Sequence, residues 1–533
     1  MRDSLQRETE TMPHNVVLII VDGLAWRVVH PAMQQGRLPF FAAIEERGFA
    51  TPCQSIYPSI TPAATASLVT GAPPVKHGVQ GAFWYDQAID DVEYFGGAPR
   101  VMLREGLSTV VDDFVQTLND DLLRVPTLYE HLAASGKDSA NLNLMWRRGP
   151  VPHDLQAPLL LKLLPGVTWD RPVAGPDRLM LGDFISLDLP GDAQVDYPSG
   201  PLNRFGFNDQ ATLKHLEALL RSDSQSAVTV AYCPDNDFDS HARGPATALE
   251  TVQQVDQALQ AIARERGGLD AWLSDTAIII VGDHGHDDLL DDADARDISV
   301  EGLFADEPIA MPGDSWDDTQ ALYVCSNMRS AQICVREERF SDLRHLASLA
   351  LGDGRVDQAI WKNGEVNRFC IRTRDRGELR FSPVAAPESA EGRGDAADAQ
   401  HVVDDNGRRW AISGSLSAVD ADVDSEGRLS YGDYPDALQR IASGAPGRQA
   451  ALWLTARPGC QFVVNGGERY QGGSHGSLHR NDSETVLTAA GVGRPASNPA
   501  SITDVVDMCL AAVGAGRQAA APRDSGQETA VGA

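Results

Sequence analysis

The feature that most constrains the fold is a run of apolar, mostly β-branched residues near the start of the chain. Residues 15–21 read Asn-Val-Val-Leu-Ile-Ile-Val and are followed by Asp22 and Gly23. Such an uninterrupted run is typical of a strand with both faces covered, as in a parallel sheet. Residues 227–232 and 276–281 repeat the pattern, and polar residues follow each run. Because parallel strands end at the same edge of a sheet, these polar residues are expected to lie on one face.

Helical patterns alternate with these strands. Residues 38–47, 210–221 and 246–266 have the apolar spacing of helices with one buried side. The alternation predicts an α/β fold with a doubly wound, mostly parallel sheet. From about residue 321 to 383 the pattern changes to short strands around one helix, which predicts an inserted small α+β lobe.

Composition divides the chain further, because two stretches depart from the alternating pattern. Residues 150–201 are rich in Pro, Gly and Asp, which predicts an insertion rather than sheet. Residues 384–448 contain a stretch rich in Ala, Glu, Gly and Asp. We therefore expect a flexible N-terminus (1–14), an α/β core (15–320) with an irregular insertion at about 86–205, an inserted α+β lobe and linker (321–448), the last part of the core (449–516), and a disordered tail (517–533).

Charge and cysteine content restrict the partners and the compartment. The chain has 533 residues, with 45 basic against 75 acidic side chains and a formal charge of −30. This argues against binding to nucleic acid polymers or anionic membranes, although a local metal site would still attract an anionic substrate. The seven cysteines are scattered and form no CxxC pair. Together with the absence of a signal sequence or a long apolar segment, they predict a cytoplasmic protein.

A turn into a helix at residues 55–71 offers a nucleophile. Pro62 suits the first helical turn, and Gly71 is a typical stop. Thr61 is therefore expected at the N-cap, beside free N–H groups and the positive end of the helix dipole. An anion is readily held there. Ser59 is the alternative nucleophile, but it does not directly precede the proline.

Acidic and histidine residues follow the predicted strands or occupy a tight turn. They form four clusters: Asp22, Asp237 with His241, Asp283 with His284, and His475. Asp and neutral His are the ligands that zinc prefers, and oxygen-rich positions also tolerate manganese. Since Asp237 and His241 are four positions apart, one helical turn would place both on the same face.

Several neighbouring residues compete for these roles. Asp235 and Asp239 are alternatives to Asp237, but the spacing to His241 favours Asp237. Lys76 is a candidate for phosphate contact, but we prefer its interpretation as a solvated loop residue. Three further histidines lie near the motifs, and each is expected to support the site or the fold rather than to bind metal: His77, His286 and His479.

These motifs resemble those of the alkaline phosphatase superfamily and, within it, the type I phosphodiesterase / nucleotide pyrophosphatase family. The resemblance covers about residues 16–85, 228–286 and 452–512. Five motifs occur in the family's order: Ile-Val-Asp22-Gly, Pro-Ser-Ile-Thr61-Pro, Asp237-x-x-x-His241-x-x-Gly-Pro245, Gly-Asp283-His284-Gly and Gly-Ser-His475-Gly.

The resemblance implies two Zn²⁺ ions, with Mn²⁺ as an alternative, and a covalent phospho-threonine intermediate. Carried over motif by motif, one ion is held by Asp237, His241 and His475, and the other by Asp22, Asp283, His284 and Thr61. The expected reaction is hydrolysis of phosphodiester or pyrophosphate bonds in a phosphorylated small molecule. A phosphomonoesterase or phosphonate hydrolase with the same site is the first alternative, and a metal-binding pseudoenzyme is the second.

One departure from the family leaves the substrate class open. Members often carry an Asn shortly after the His-Gly turn, where it donates to a phosphoryl oxygen, and here that position is Ala82. The aromatic run that follows, residues 83–85, either lines the pocket or packs in the core.

Overall fold

The computed structural model describes most of the chain: residues 15–86, 91–94, 113–156, 158, 162, 172–190, 194–222, 225–314, 316–317, 319–363, 367–384, 399–447 and 451–518. The expected flexible N-terminus (1–14) lies outside the described residues, as do all but two residues of the expected tail (517–533) and parts of the stretches 86–205 and 384–448.

An eight-stranded sheet forms the centre of the molecule. Seven of its strands run in the same direction, and Glu484–Ala490 runs antiparallel to its two neighbours. The predicted mostly parallel sheet is thus confirmed. In spatial order the strands are Ala500–Ser501, Phe49–Gln54, Glu484–Ala490, Thr276–Val281, Asn15–Val21, Val228–Cys233, Ser139–Leu142 and Arg178–Met180.

Helices cover both faces of this sheet, which explains the uninterrupted apolar run at its centre. Alternate side chains of Asn15–Val21 point to opposite faces, so both sets must be apolar. One face packs against the helices Thr61–Thr70, Leu128–Ala134 and Val505–Ala512. The other packs against Trp26–Gln34, Pro39–Arg47, Asp209–Arg221, Pro245–Glu265 and Leu269–Leu273. The sheet is therefore doubly wound.

The edge of this sheet corrects one expectation. Residues 150–201 were expected to contribute no sheet, yet Arg178–Met180 pairs in parallel with Ser139–Leu142 as the edge strand. A three-residue strand is too short to leave a periodic pattern in the sequence. Nearby, Val151–Asp154 and Pro172–Gly175 form a separate antiparallel pair.

A second sheet of nine strands forms the inserted lobe. Its pairs are antiparallel except for Ile309–Ala310 with Leu322–Asn327. Helix Leu343–Ala350 packs against one face. In spatial order the strands are Ile309–Ala310, Leu322–Asn327, Ser330–Val335, Leu452–Ala456, Val356–Lys362, Phe369–Thr373, Glu378–Pro383, Arg409–Gly414 and Gln400–Val403.

The strand Leu452–Ala456 corrects a second expectation. We expected the return to the α/β core at residue 449, but this strand lies between Ser330–Val335 and Val356–Lys362 in the nine-stranded sheet. The large sheet regains a strand only with Glu484–Ala490. A fully buried apolar strand looks the same in the sequence whichever sheet receives it.

Short elements complete the described chain. Among the described helices, none combines the length and hydropathy needed to cross a membrane. All seven cysteines are buried and unpaired. The paired short strands are Phe83–Asp86 with Asp91–Tyr94, Asp287–Asp288 with Gly473–Ser474, Asp297–Ser299 with Gln461–Val463, and Ala421–Val423 with Leu429–Tyr431. The remaining helical segments are Pro74–His77, Asp113–Leu122, Pro201–Gly206, Asp235–Arg243, Ala293–Arg296, Val300–Leu303, Glu337–Asp342, Leu416–Val419, Ala437–Ser443, Ala445–Gly447, Arg480–Ser483 and Ile502–Asp504.

Candidate active site

Three neighbouring parallel strands deliver the acidic residues to one edge of the large sheet. Asp22 directly follows Asn15–Val21, and Asp283 lies two residues after Thr276–Val281. Asp237 is carried by the helix Asp235–Arg243, which begins two residues after Val228–Cys233. The same helix carries His241 one turn later. The carboxyl ends of the central strands therefore bring together clusters that are far apart in the sequence.

His475 reaches this edge from a glycine-rich turn. The turn follows Gly473–Ser474, which pairs with Asp287–Asp288 just beyond His284. The rings of His284 and His475 stack with centroids 3.6 Å apart. All seven residues proposed from the sequence thus lie in one continuous cluster.

Thr61 occupies the start of its helix but does not cap it. The helix runs from Thr61 to Thr70, Ile60 is the N-cap, and no side chain makes a capping hydrogen bond. This corrects the expectation that Thr61 is the N-cap. Its Oγ1 instead lies 3.0 Å from Nε2 of His284. As predicted, Gly71 stops the helix: it directly follows Thr70 and has the left-handed conformation (φ 61°).

The first group of side chains surrounds Nε2 of His284. This nitrogen lies 3.4 Å from Oδ1 of Asp22 and 3.4 Å from Oδ2 of Asp283, in addition to its contact with Thr61. The other oxygen of Asp283 accepts hydrogen bonds from the backbone N–H groups of Gly23 and His284. One oxygen of each carboxylate is thereby left facing the histidine.

The second group surrounds Asp237. Its Oδ2 lies 3.4 Å from Nε2 of His241, and its Oδ1 lies 3.6 Å from Nε2 of His475. A third imidazole, His286, is closest, with Nε2 2.6 Å from Oδ1. Potential ligand atoms of Asp237, His284, His286 and His475 all lie within 4.8 Å of one another, a compact set that includes His286 rather than His241.

Backbone carbonyls orient three of these imidazoles. Nδ1 lies 2.9 Å from the Gly285 carbonyl in His284, 2.9 Å from the Gly473 carbonyl in His241 and 2.7 Å from the Ser59 carbonyl in His475. Each Nδ1 therefore donates its proton outward, so that the lone pair of Nε2 points into the cluster. A backbone carbonyl behind the ring is the usual arrangement for a histidine that binds a metal through Nε2.

Burial and the close approach of charged groups shift the pKa values of four side chains in the cluster. Burial, and then the carboxylates of Asp283 and Asp237, raise the pKa of Asp22 well above its usual range. Burial also raises the pKa of Asp283. It would raise the pKa of Asp237 too, but the imidazoles around that carboxyl outweigh it and hold the pKa well below its usual range. Burial and the neighbouring His284 lower the pKa of His475, which keeps its ring neutral.

The unsatisfied atoms of the cluster fit a divalent cation. Among the described residues, four buried atoms that face the site have no hydrogen-bond partner: Oδ1 of Asp22, Oδ2 of Asp283, Nε2 of His241 and Nε2 of His475. Buried polar atoms without partners are costly, and buried carboxylates that repel one another more so. Neutral imidazole nitrogens and carboxylate oxygens are also the donor atoms that zinc prefers. The donor set therefore suits metal binding.

The competing residues are engaged elsewhere. The Ser59 hydroxyl donates to the Ser477 carbonyl and accepts from the Gly476 N–H. Asp235 pairs with Arg204, and Asp239 with Arg243. None of these three groups makes a contact with the Asp–His cluster in the described part of the chain.

The outlying histidines His77 and His479 contact residues outside the cluster. His77 is buried and accepts a hydrogen bond from the Val79 N–H, while its other nitrogen contacts Ser67. His479 accepts from the Asn481 N–H at the start of a short helix. Lys76 is exposed, as expected for a solvated residue, but it lies in the short helix Pro74–His77 and not in a loop.

Several residues around the site were not singled out in the sequence. The Tyr232 hydroxyl donates to Oδ2 of Asp22. The Asn236 amide donates to the carbonyls of Asp22 and Gly23. The Tyr470 ring stacks on His241 with centroids 3.9 Å apart. Tyr232 ends a predicted strand and Asn236 is next to Asp237, so their positions weakly indicated that both lie near the site. No feature of the sequence indicated this for Tyr470.

The second sheet supports the site without supplying a residue to the cluster. Its Asn327 side chain accepts hydrogen bonds from the N–H groups of Ala82 and Phe83, and its amide donates to the Phe83 carbonyl. The following aromatic side chains Trp84 and Tyr85 are buried in two different hydrophobic clusters. Trp84 and Tyr85 therefore pack in the core of the protein and do not line the pocket.

The likeness to known proteins agrees with this architecture, which is that of the alkaline-phosphatase-like enzymes. Phosphonoacetate hydrolase from Sinorhizobium meliloti 1021, solved in complex with phosphonoformate, has a TM-score of 0.53 and 14% identity, over 95% of this chain and 97% of that chain. Murine ectonucleotide pyrophosphatase / phosphodiesterase 5 has a TM-score of 0.51 and 12% identity, over 94% of this chain and 95% of that chain. The inactive Thr→Ala variant of that protein, in complex with AMP, has a TM-score of 0.51 and 12% identity, over 94% of this chain and 96% of that chain.

The sequence itself identifies the family. The model of the type I phosphodiesterase / nucleotide pyrophosphatase family matches residues 16–478, and the chain belongs to this family. Membership supports a hydrolase of the phosphodiester or pyrophosphate type. The match begins at the first central strand and ends just after His475, so it spans every residue of the cluster.

Proposed function

We propose that this protein is a metal-dependent hydrolase of phosphodiester or pyrophosphate bonds in a small molecule, with Thr61 as the nucleophile. The observation that carries the proposal is the position of the Thr61 hydroxyl, 3.0 Å from Nε2 of His284. That imidazole also lies 3.4 Å from both Asp22 and Asp283. Two buried carboxylates raise the pKa of a neighbouring hydroxyl, and cations that offset their charge would lower it, so we treat nucleophile and metal site as one unit.

Two divalent cations fit the donor set, and zinc suits it best, with manganese as an alternative. Asp237, His241 and His475 would hold one ion, while Asp22, Asp283, His284 and Thr61 would hold the other. When bound, such ions supply positive charge that lowers the pKa of a hydroxyl and offsets the charge of phosphoryl oxygens.

The chain's own groups then bind and attack the substrate. Thr61 lies in the first turn of the helix Thr61–Thr70, where backbone N–H groups lack helical partners and the dipole is positive. A phosphoryl group at this end is favoured by both. The Thr61 oxygen, having lost its proton to solvent, bonds to phosphorus as the bond to the leaving group breaks. Water then cleaves the phospho-threonine, which releases the phosphorylated product and restores the hydroxyl.

The named complexes of similar proteins are compatible with this reaction. A threonine-to-alanine variant of murine ectonucleotide pyrophosphatase / phosphodiesterase 5 is described as inactive and in complex with AMP. Such a nucleotide product is what cleavage of a pyrophosphate or diester would leave. We propose the same class of phosphorylated small molecule for this chain.

A phosphonate or phosphomonoester hydrolase is the second candidate, and Ala82 is the observation that favours it. This residue offers no side-chain donor to a phosphoryl oxygen, and the Asn327 amide beside it is used by the backbone of residues 82 and 83. With Trp84 fully buried, that ring is also not available to stack on a nucleotide base. Phosphonoacetate hydrolase, one of the similar structures, is named for a substrate of this smaller kind.

A matched pair of variants tests the nucleophile. The metal-replete protein is assayed on bis-p-nitrophenyl phosphate, p-nitrophenyl phosphate and phosphonoacetate. We expect Thr61→Ala to lose at least about 10⁴-fold in kcat, the scale on which hydrolases lose their nucleophile, with the fold and most metal retained. Ser59→Ala is the control and should keep most of its activity. Undiminished activity in Thr61→Ala would transfer the role to Ser59.

The substrate panel and a chelator separate the remaining candidates. Preference for the diester supports the first proposal, and preference for the monoester or the phosphonate supports the second. Removal of metal by a chelator should abolish turnover, and added zinc or manganese should restore it. Bound metal without turnover on any phosphorylated substrate would instead indicate a metal-binding pseudoenzyme.

A further inference from the structure

His286 differs from the other three histidines of the cluster in the direction of its hydrogen bonds. It is fully buried, and its Nε2 lies 2.6 Å from Oδ1 of Asp237. Its Nδ1 has no partner among the described residues. His241, His284 and His475, by contrast, each have Nδ1 against a backbone carbonyl.

This difference fixes where the proton of His286 must be. A carboxylate oxygen and an imidazole lone pair repel each other at 2.6 Å, so a contact this short requires a hydrogen between the two atoms. In a neutral imidazole the proton therefore sits on Nε2, and the lone pair is left on Nδ1. The other three histidines carry their proton on Nδ1 and keep the lone pair on Nε2, facing the site.

The surroundings of His286 hold its ring in this orientation. A Cβ on Gly23 would lie 2.8 Å from Cδ2 of His286, and a Cβ on Gly473 would lie 3.1 Å from Nδ1. Glycine at both positions lets the two backbones close on the ring. The rings of His241 and His475 meet it edge-on, with centroids 4.8 and 4.9 Å away. Because the ring is enclosed by backbone and by other imidazoles, rotation of Nε2 away from Asp237 would require these groups to move.

We propose that His286 is a positioning residue for Asp237 and not a metal ligand. Its Nε2–H donates to Oδ1 of Asp237 and leaves Oδ2, the oxygen 3.4 Å from His241, to face a cation. The carboxylate is thereby held in one orientation and binds through one oxygen. A ligand held in this way loses less freedom when the ion binds, and supporting partners of this kind are worth about 10–100-fold in metal affinity.

This inference rests on the proposed metal site but not on the proposed reaction. The test compares zinc binding by the metal-free full-length protein in three forms: wild type, His286→Met and His286→Gln. Methionine fills a similar volume without a donor, whereas the glutamine amide nitrogen can reach the place of Nε2–H. Competition with a chromogenic chelator gives affinity, and elemental analysis gives zinc per chain. Thermal unfolding of the metal-free forms reports on folding.

The expected result is a selective loss of affinity with an unchanged number of sites. His286→Met should weaken one of the two zinc sites by about 10–100-fold while the protein still binds two ions at saturation. His286→Gln should recover most of that affinity. A ligand role predicts something different, namely that both variants lose one ion per chain, and this would overturn the proposal. Equal affinity in all three proteins would overturn it as well.

A measurement on the wild-type protein covers the case in which a variant does not fold. In protein labelled with ¹⁵N-histidine, long-range ¹H–¹⁵N correlation identifies the tautomer of each ring. His286 should carry its proton on Nε2 both before and after zinc is added, whereas the other three rings keep it on Nδ1. Direct coordination of zinc by Nε2 of His286 would contradict the proposal. Absence of zinc binding in the wild type would contradict the proposed function instead.

Discussion

In the eight-stranded sheet, seven strands run parallel and three of them end beside Asp22, Asp237 and Asp283. In the nine-stranded sheet almost all pairs are antiparallel, so neighbouring strands end at opposite edges. Both sheets contain fully buried apolar strands. The parallel one collects the ends of its strands at one edge, and the short polar segments there converge. The antiparallel sheet does not bring its strand ends together at one edge, and it supports the site through its turns.

One turn of the second sheet shows what that contribution is. The turn between Leu322–Asn327 and Ser330–Val335 places Arg329 in a fully buried position behind the His475 turn. Its N–H donates to the His475 carbonyl, and its guanidinium lies 2.9 Å from Asp287 and 3.1 Å from Asp482. The comparison therefore predicts losses of function for changes in the parallel sheet and losses of stability for changes in the second sheet.

Among the residues at the strand ends, the largest effect is expected for Asp22 in the parallel sheet. Asp22→Asn should reduce activity by at least about 10²-fold, the upper end of the cost of losing a supporting residue, because a proposed ligand is lost. The metal-free variant should nevertheless be as stable as the metal-free wild type or more so. Burial and the carboxylates of Asp283 and Asp237 raise the pKa of Asp22, so its charge destabilises the empty site.

Activity assays and thermal unfolding with and without zinc measure both effects. Asp288→Asn, at an exposed carboxyl paired with Arg27, is the matched control and should change neither quantity greatly. A metal-free Asp22→Asn protein that unfolds at a lower temperature than wild type would show that this edge is not organised around a cation.

The next effect concerns Arg329 in the second sheet. Arg329→Met leaves Asp287 and Asp482 without their buried cation and should cost about 3–5 kcal/mol in the free energy of unfolding. Arg428→Met is the control, since that side chain is 71% exposed and lies 3.4 Å from Glu426. It should cost less than about 1 kcal/mol. Denaturant unfolding of both variants checks the difference, and similar losses would refute the supporting role of Arg329.

The smallest expected effect is a pH dependence of stability that is caused by the buried His77. Burial lowers the pKa of His77 to about 3. The unfolded chain therefore binds a proton below about pH 6.5 while the folded chain does not, so the contribution of His77 to stability falls as pH decreases between these values. The slope is about 1.4 kcal/mol per pH unit. His77→Gln should flatten the decline of unfolding midpoints between pH 7 and pH 5, and an unchanged decline would contradict this account.

Much of the fold followed from local patterns. The runs at residues 15–21 and 276–281 are apolar throughout because helices cover both of their faces, and this burial is recorded directly in the sequence. The acidic and histidine residues proposed as ligands were singled out for a related reason, since their motifs follow predicted strands or lie in a glycine-rich turn. Arg178–Met180 and the placement of Leu452–Ala456 were missed, because a short edge strand and a shared apolar pattern carry no information about pairing.

By itself, the sequence determined which segments are buried strands, where they end, and which acidic and imidazole groups stand at those ends. Only the tertiary structure showed what the two candidate hydroxyls contact: the hydroxyl of Thr61 lies beside His284, and the hydroxyl of Ser59 donates to the Ser477 carbonyl. It also decided the contacts of His286 and Tyr232, which lie 49 and 210 positions from their carboxylate partners. Hydrophobic periodicity reports whether a residue is buried, whereas a hydrogen-bond partner at such a distance is set by how the strands are ordered.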